Sequence, residues 1–321
     1  MADKRMKIVF LDRKTIGDDL DLSGFDSLGE VVMYDFSDPE EVPDRVRDAD
    51  IIVLNKTRID ESTIGTAEKL KLVCVTATGT NNLDKDYLAS KGIEWRNVAG
   101  YSTETVAQHT FALLFYLFEH LPYYDEYVKS GSYAGDRLFT HFAKNFHELC
   151  GKTWGIIGLG AIGHRVAEIA KAFGCEVQYY STSGKNHDSG IKEVSFKELL
   201  NTSDIISIHA PLNNDTLGLI NKEALKEMKR SAILLNLGRG PIVCEADLCA
   251  ALDEGLIAGA GLDVLSNEPM EKNSPFLTMK NPDRLFITPH IAWASIEARV
   301  RLMEIIEGQI KDWQKEKAGL S

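Results

Sequence analysis

A chain of 321 residues, 44% apolar and 26% charged, has the length for about two domains and the composition of an ordinary globular protein. Its formal charge of −12 argues against nucleic acid or an anionic membrane surface as partner, so an anionic ligand has to be held by local positive groups. Cys74, Cys150, Cys175, Cys244 and Cys249 form no CxxC pair, which points to a reducing compartment and to no metal site. The start, Met1-Ala2-Asp3-Lys4-Arg5-Met6, runs directly into Lys7-Ile8-Val9-Phe10-Leu11 without a signal-peptide core. The longest apolar run, Phe111 to Phe118, is too short to span a bilayer, and a cytoplasmic protein is expected.

In chain order, two series of short β-branched runs alternate with helical patterns. The first comprises Ile8–Leu11, Val31–Tyr34, Ile51–Leu54 and Leu72–Thr76. The second comprises Trp154–Ile157, Glu176–Tyr180, Ile205–His209, Ile233–Leu235, Gly259–Asp263 and Leu285–Thr288. Unbroken apolar strands separated by helices form parallel sheets covered on both faces, so the chain reads as α/β with two doubly wound parallel-sheet domains. The junction falls near Asn97–Tyr101. After it, Ser102 or Thr103 caps a helix with Glu104 in its first turn, and apolar residues continue to Leu121. Ser295-Ile296-Glu297-Ala298-Arg299 opens a long amphipathic helix to about Lys317 that returns to the first domain. Residues 1–100 and 294–321 are therefore assigned to a substrate domain and 101–293 to a dinucleotide-binding domain, with substrate and cofactor expected to meet in a cleft between them.

The sharpest local signal is Gly158-Leu159-Gly160-Ala161-Ile162-Gly163, between the strand Trp154–Ile157 and a helix starting near His164. That strand–turn–helix context is what a dinucleotide fingerprint requires. Gly158 allows the tight turn, Gly160 lets the backbone approach the pyrophosphate, and Gly163 permits close helix–strand packing. The pyrophosphate then lies at the helix N-terminus, where free N–H groups and the helix dipole favour negative charge.

Three polar residues follow later strands: Arg239 in Asn236-Leu237-Gly238-Arg239-Gly240, Glu268 in Asp263-Val264-Leu265-Ser266-Asn267-Glu268-Pro269, and His290 in Thr288-Pro289-His290. In open α/β sheets, ligands bind at these carboxyl ends. Hydride transfer to a 2-keto acid needs a proton donor, a cation for the carboxylate, and a group that orients the donor. Histidine titrates near working pH, arginine offers a rigid fork of donors, and a neighbouring carboxylate favours and orients an imidazolium.

These segments together resemble the D-isomer-specific 2-hydroxyacid dehydrogenase family over nearly the whole chain. The resemblance implies a flavodoxin-like substrate domain, a Rossmann dinucleotide-binding domain and an NAD(P)-dependent oxidoreductase. It places the family's substrate-binding arginine on Arg239, its glutamate on Glu268 and its catalytic histidine on His290. It places the cofactor glycines on Gly158, Gly160 and Gly163, with Ala161 and Ile162 in the same loop. Ala77-Thr78-Gly79-Thr80-Asn81-Asn82-Leu83-Asp84 resembles the loop whose N–H groups hold the substrate carboxylate, which implicates Thr78 and Gly79. Asp263 resembles the residue that binds the nicotinamide carboxamide, and His209-Ala210-Pro211 resembles the loop near the adenosine. Three segments look closest to the glycerate dehydrogenase (hydroxypyruvate reductase) branch: Thr78–Asn82, Gly100–Thr103 with Val106–Phe111, and Pro289–Ala294 with Glu297–Arg299. D-lactate, glyoxylate and other small 2-keto or 2-hydroxy acids stay open as substrates. A homodimer formed through the cofactor domain is also implied. A dinucleotide-sensing, corepressor-like protein is the alternative of another class, since a scaffold alone does not prove turnover.

One position departs from the pattern. The acid that accepts the adenosine ribose hydroxyls ordinarily ends the second strand of the cofactor half, about 20 residues past the glycines. Here Cys175–Tyr180 is followed by Ser181-Thr182-Ser183-Gly184-Lys185, with Ser181 in the acid's place. NAD is the family's usual cofactor, and hydroxyls with a nearby lysine admit NADP as well. Lys56 reads as a further positive group at the cleft or as a solvated lysine. Trp293 reads as a shield of the site from water or as packing for the return helix, the latter favoured, and His109 as a buried structural histidine. The remaining histidines have no ligand spacing, so no metal is expected.

Overall fold

The computed structural model describes residues 5–319, which divide into two units, Met1–Ser102 with Ala294–Ser321 and Thr103–Trp293. In the first unit, β1 (Lys7–Phe10), β2 (Glu30–Met33), β3 (Ile51–Leu54), β4 (Leu72–Val75) and β5 (Glu94–Asn97) pair in parallel in the order β2-β1-β3-β4-β5. That is the flavodoxin-like order, which reverses between β1 and β3. Residues of β3 and β4 are buried throughout, which is why they read as unbroken apolar runs. β5 escapes the sequence pattern because Glu94-Trp95-Arg96-Asn97 is a half-buried edge strand whose residues alternate neither cleanly apolar nor cleanly polar. Short helices α1 (Val42–Val46), α2 (Glu61–Ile64) and α3 (Lys85–Ser90) connect the strands.

The second unit opens with α4 (Thr103–Phe118) and α5 (Leu121–Lys129). The apolar pattern runs on to Leu121, but α4 stops at Phe118: His120 turns left-handed (φ 52°) and Pro122 lies in the first turn of α5. A proline has no N–H with which to continue a helix. The chain then alternates β6 (Thr153–Ile157), α6 (Ala161–Ala172), β7 (Glu176–Tyr180), β8 (Lys192–Glu193), α7 (Phe196–Thr202), β9 (Ile205–Ile208), α8 (Lys222–Glu227), β10 (Ile233–Asn236), α9 (Glu245–Glu254), β11 (Gly259–Leu262) and β12 (Leu285–Ile287). All seven strands are parallel, in the order β12-β11-β10-β9-β6-β7-β8. This is a Rossmann order with one added strand, and it reverses between β6 and β9. Two-residue β8, wholly exposed, is too short and too polar to be visible as a strand in the sequence.

Each face of this sheet has its own apolar layer. One joins Phe111, Leu113, Leu114 and Leu117 of α4 to Trp154 of β6 and Val166 of α6. The other joins α7, α8 and α9 to the opposite side of β9, β10 and β11. Trp154 is fully buried, its ring centroid lies 4.7 Å from that of Phe111, and its indole N–H donates to Ser207 Oγ at 2.9 Å. Truncating such a residue to alanine costs about 3–5 kcal/mol.

After β12 the chain re-enters the first unit as α10 (Ile296–Lys317), capped by Ser295 Oγ accepting from the Ala298 N–H at 3.2 Å. Leu302, Ile306, Ile310 and Trp313 are completely buried. Side chains tie the helix down: Arg96 Nη1 donates to the Gln309 carbonyl (3.1 Å), and Gln309 Nε2 to that of Asn97 (2.9 Å). Gln314 Nε2 donates to the Leu28 carbonyl (2.7 Å). Among the described residues, no helix is long and apolar enough to cross a membrane.

Candidate active site

The loop leaving β6 is shaped by two steric demands and one vacancy. Gly158 has φ +91°, and a Cβ there would stand 2.8 Å from the backbone N and Cα of Ala210. A Cβ on Gly163 would meet the Gly158 carbonyl oxygen at 2.5 Å. A Cβ on Gly160, by contrast, would meet nothing within 4 Å. The protein itself thus requires Gly158 and Gly163, whereas the space over Gly160 suits an approaching ligand. Gly160 is also the N-cap of the 12-residue α6 and offers no side-chain cap, so the first-turn amides around Ala161, Ile162 and Gly163 are open to an anion.

Two side chains flank this loop with unmet polar atoms. Ser181, directly after β7, is buried with its Oγ unpartnered. His209, directly after β9 where the strand order reverses, has both ring nitrogens buried and unpartnered. Burial pushes its pKa down to about 3, so the ring is neutral. A buried polar atom without a partner is costly, and a bound dinucleotide would supply the missing partners. The glycine cradle, the uncapped helix and these orphaned atoms fit NAD or NADP. Thr182 is half-buried, and Pro211, Ser183 and Lys185 are exposed. No carboxylate lies between Tyr180 and Lys185.

Arg239, Glu268 and His290 follow β10, β11 and β12, three adjacent strands, so their loops lie side by side. His290 Nδ1 and Glu268 Oε2 are 2.6 Å apart, and Glu268 Oε1 accepts the Leu265 N–H at 3.0 Å. Arg239 is half-buried; its Nη1 donates to the Gly238 carbonyl at 2.8 Å, and Asn236 braces the turn from both sides (Gly238 N–H to Oδ1, 3.1 Å; Nδ2 to the Arg239 carbonyl, 3.0 Å). A Cβ on Gly240 would fall 1.9 Å from the Leu265 carbonyl carbon, so the arginine loop and the glutamate loop touch backbone to backbone.

Asp263 is 2% exposed and organises the turn that carries His290. Its carbonyl accepts the His290 N–H (2.8 Å), Oδ1 accepts from Thr288 Oγ1 (2.6 Å) and the Ile291 N–H (2.9 Å), and Oδ2 accepts the Ala292 N–H (2.9 Å). Trp293 packs on the apolar layer of its own unit and donates its indole N–H to the His290 carbonyl at 2.9 Å. Sequence reasoning missed the contribution of Thr288, although its place next to Pro289-His290 was a usable signal.

In the first unit, Lys56 follows β3 and Thr78-Gly79 follow β4. The Lys56 side chain is exposed. Its loop is held by Asp12, at the end of β1, whose carboxylate accepts the N–H groups of Asn55, Lys56 and Thr57 at 2.8, 2.7 and 2.9 Å. Asn82 Nδ2 adds bonds to the carbonyls of Asn55 (3.3 Å) and Thr57 (2.9 Å), joining the Lys56 loop to the Thr78–Asn82 loop. Thr78 Oγ1 donates to the Val98 carbonyl (2.9 Å), and Asn97 Nδ2 donates to that of Thr78 (2.7 Å). Asn82 was read only as part of the Thr78–Asn82 segment, and Asp12 was not singled out; an acid at the carboxyl end of a strand next to the order reversal was the available clue. Among the described residues no three His, Cys, Asp or Glu side chains group as a metal site.

Residues 111–292 match the NAD-binding domain of the D-isomer specific 2-hydroxyacid dehydrogenases. The chain belongs to that family. It is 39% identical to the hydroxypyruvate reductase of Blautia hydrogenotrophica over 97% of both chains. Its fold is similar to that of D-lactate dehydrogenase from Aquifex aeolicus complexed with NAD and lactic acid (TM-score 0.84, 27% identity, 98% of this chain and 97% of the other). It is similar also to an NADPH-dependent glyoxylate/hydroxypyruvate reductase from Sinorhizobium meliloti in complex with NADP and malonate (TM-score 0.80, 25% identity, 96% and 93%). As a D-2-hydroxyacid dehydrogenase the chain is an NAD(P)-dependent oxidoreductase.

Proposed function

We propose that this dehydrogenase interconverts hydroxypyruvate and D-glycerate, with His290 as acid–base residue. The observation that carries the reading is the 2.6 Å His290–Glu268 pair, on the strand edge shared with the dinucleotide loop. Its hydroxypyruvate-reducing relative over the full length supports the substrate.

Reduced NAD(P), when bound, supplies the hydride for the substrate C2. Arg239 takes the substrate carboxylate and carbonyl through its guanidinium, with the loop N–H groups around Thr78 and Gly79 as further donors. His290 gives the proton at Nε2 to the oxygen that was the carbonyl, because Nδ1 is engaged by Glu268. Glu268 orients that ring. Lys56 adds positive charge on the substrate side, where the net charge of −12 would otherwise repel a 2-keto acid. Asp263 has acceptor capacity left on Oδ2 for a carboxamide, and Ser181, Thr182, His209 and Pro211 border the adenosine end. On this reading Met1–Ser102 with Ala294–Ser321 is the substrate domain and Thr103–Trp293 the dinucleotide domain.

The segment after α5 supports a homodimer: Leu138, Phe139, Phe142 and Phe146 are 61%, 89%, 78% and 57% exposed. So many large apolar side chains within a short segment mark a surface that another protein covers. Five unpaired cysteines fit a cytoplasmic setting.

The test is the initial rate of NADH and NADPH oxidation with hydroxypyruvate, for wild type and His290→Ala. Expected is turnover in the wild type and a kcat about 10²- to 10⁴-fold lower in the variant, with cofactor affinity unchanged. A variant that turns over at the wild-type rate would refute the role of His290. A wild type active only on glyoxylate or pyruvate would move the substrate within the family.

A further inference from the structure

We propose that His109, on α4, is a positioning residue for His290, acting through Thr288 and Asp263. The proposal rests on the reading of His290 as the proton donor.

His290 is one of two non-glycine residues among those described with a left-handed backbone, at φ 54°. That conformation is uncommon for a residue with a side chain, and such residues cluster at active sites. Most of the bonds that hold this turn come from one residue, beside the His290 N–H to the Thr288 carbonyl (2.9 Å) and the Trp293 indole N–H to the His290 carbonyl. Asp263 receives the His290 N–H on its carbonyl and the next two N–H groups, of Ile291 and Ala292, on its carboxylate. Any rotation of that carboxylate therefore re-aims the imidazole.

The orientation of the carboxylate depends in turn on α4. Thr288 Oγ1 stands 2.6 Å from Asp263 Oδ1 and 2.9 Å from His109 Nε2. The carboxylate can only accept, so the hydroxyl proton points to Asp263, and the hydroxyl oxygen accepts from His109 Nε2–H. The chain of donors is thus directional: His109 to Thr288 to Asp263. Burial lowers the pKa of His109, against the opposing pull of the Asp263 charge 3.6 Å away, which favours the neutral ring with its proton on Nε2. Without that donor the Thr288 hydroxyl is no longer fixed, and Asp263 keeps the Ile291 and Ala292 N–H groups but loses its fixed side-chain partner. Hydrogen-bond chains of this kind strengthen their members cooperatively.

A histidine that merely satisfies a core hydrogen bond would make the same contacts, yet its loss would lower stability alone. The experiment compares His109→Leu, His109→Gln, Thr288→Val and the His109→Leu/Thr288→Val pair in the full chain. Measured are kcat and KM for hydroxypyruvate, the Kd of NAD(P)H by fluorescence, Tm, and the downfield NMR resonance of the His290 Nδ1 proton held by Glu268. Expected are a kcat about ten- to a hundredfold lower in His109→Leu and in Thr288→Val, with cofactor Kd within about twofold. His109→Gln, whose amide can replace Nε2–H, should recover most of the loss. The double variant should be no worse than the worse single one, because both act in series. The His290 resonance should broaden in His109→Leu and return in His109→Gln, a readout independent of turnover. A lowered Tm with kcat and the resonance unchanged would overturn the proposal, as would multiplicative losses in the double variant. Should His290→Ala retain turnover while the resonance still responds to His109, the coupling stands and the assignment of His290 falls.

Discussion

His209 makes the folded state sensitive to mild acid in a way that can be worked out in advance. Its ring nitrogens are buried without partners, and burial holds its pKa at about 3 against an ordinary 6.5. Above pH 6.5 the ring is neutral in both the folded and the unfolded chain and contributes no pH dependence. Between pH 6.5 and about 3 the unfolded chain binds a proton that the folded chain refuses, so stability rises with pH across this window and is lost as pH falls. Each unit is worth about 1.4 kcal/mol, which makes the loss at pH 5 about 2 kcal/mol relative to pH 8. The assay is urea unfolding of the cofactor-free chain at pH 8, 6.5 and 5, for wild type and for His209→Leu. Titrations common to both proteins cancel in the difference, and the wild type should lose about 2 kcal/mol more than the variant on going to pH 5. Parallel pH curves would show that His209 is hydrated or partnered in solution and would refute the argument.

Ser181→Asp should shift the kcat/KM preference toward NADH by about tenfold or more, because a carboxylate there accepts ribose hydroxyls and repels a 2′-phosphate; equal rates with both cofactors in both proteins would contradict this. Phe139→Asp with Phe142→Asp should convert a dimer to monomers by sedimentation velocity while leaving the circular dichroism spectrum intact; an unchanged sedimentation coefficient would count against that surface. Gly240→Ala drives a Cβ into the Leu265 backbone and should depress kcat with hydroxypyruvate far more than it weakens NAD(P)H binding, since the loops it separates carry Arg239 and Glu268; a loss confined to cofactor affinity would show that the contact matters elsewhere.

What could be read from the residues alone follows the physics of burial. Strands sealed on both faces, such as β3 and β4, are apolar at every position and so announce themselves, and β9 and β10 admit one hydrogen-bonded polar residue each, Ser207 and Asn236. β5 and β8 lie at sheet edges, where the constraint lapses and the pattern with it. Gly158 and His290 were legible through local spacing, because a tight turn and a strand-end histidine leave short motifs. The clamps on the loops were not, since Asp12 meets Lys56 and His109 meets Thr288 only once distant segments of chain are folded together. The end of α4 is not marked by the apolar stripe, which outlasts the helix to Leu121; Pro122 in the next helix's first turn is the nearer cue.

The return of α10 also dictates the order in which this protein can be completed on the ribosome. The residues up to Ser102 emerge before the helix whose Leu302, Ile306, Ile310 and Trp313 are sealed away from water. All of residues 103–293 must be synthesised before that helix arrives, and those residues form a continuous segment able to fold in the meantime. The early segment therefore waits with an open apolar surface and makes its last long-range contacts only once residues 296–317 have been made. Slow or truncated synthesis should be punished there first, by aggregation of the N-terminal segment and by proteolysis of a half-finished sheet.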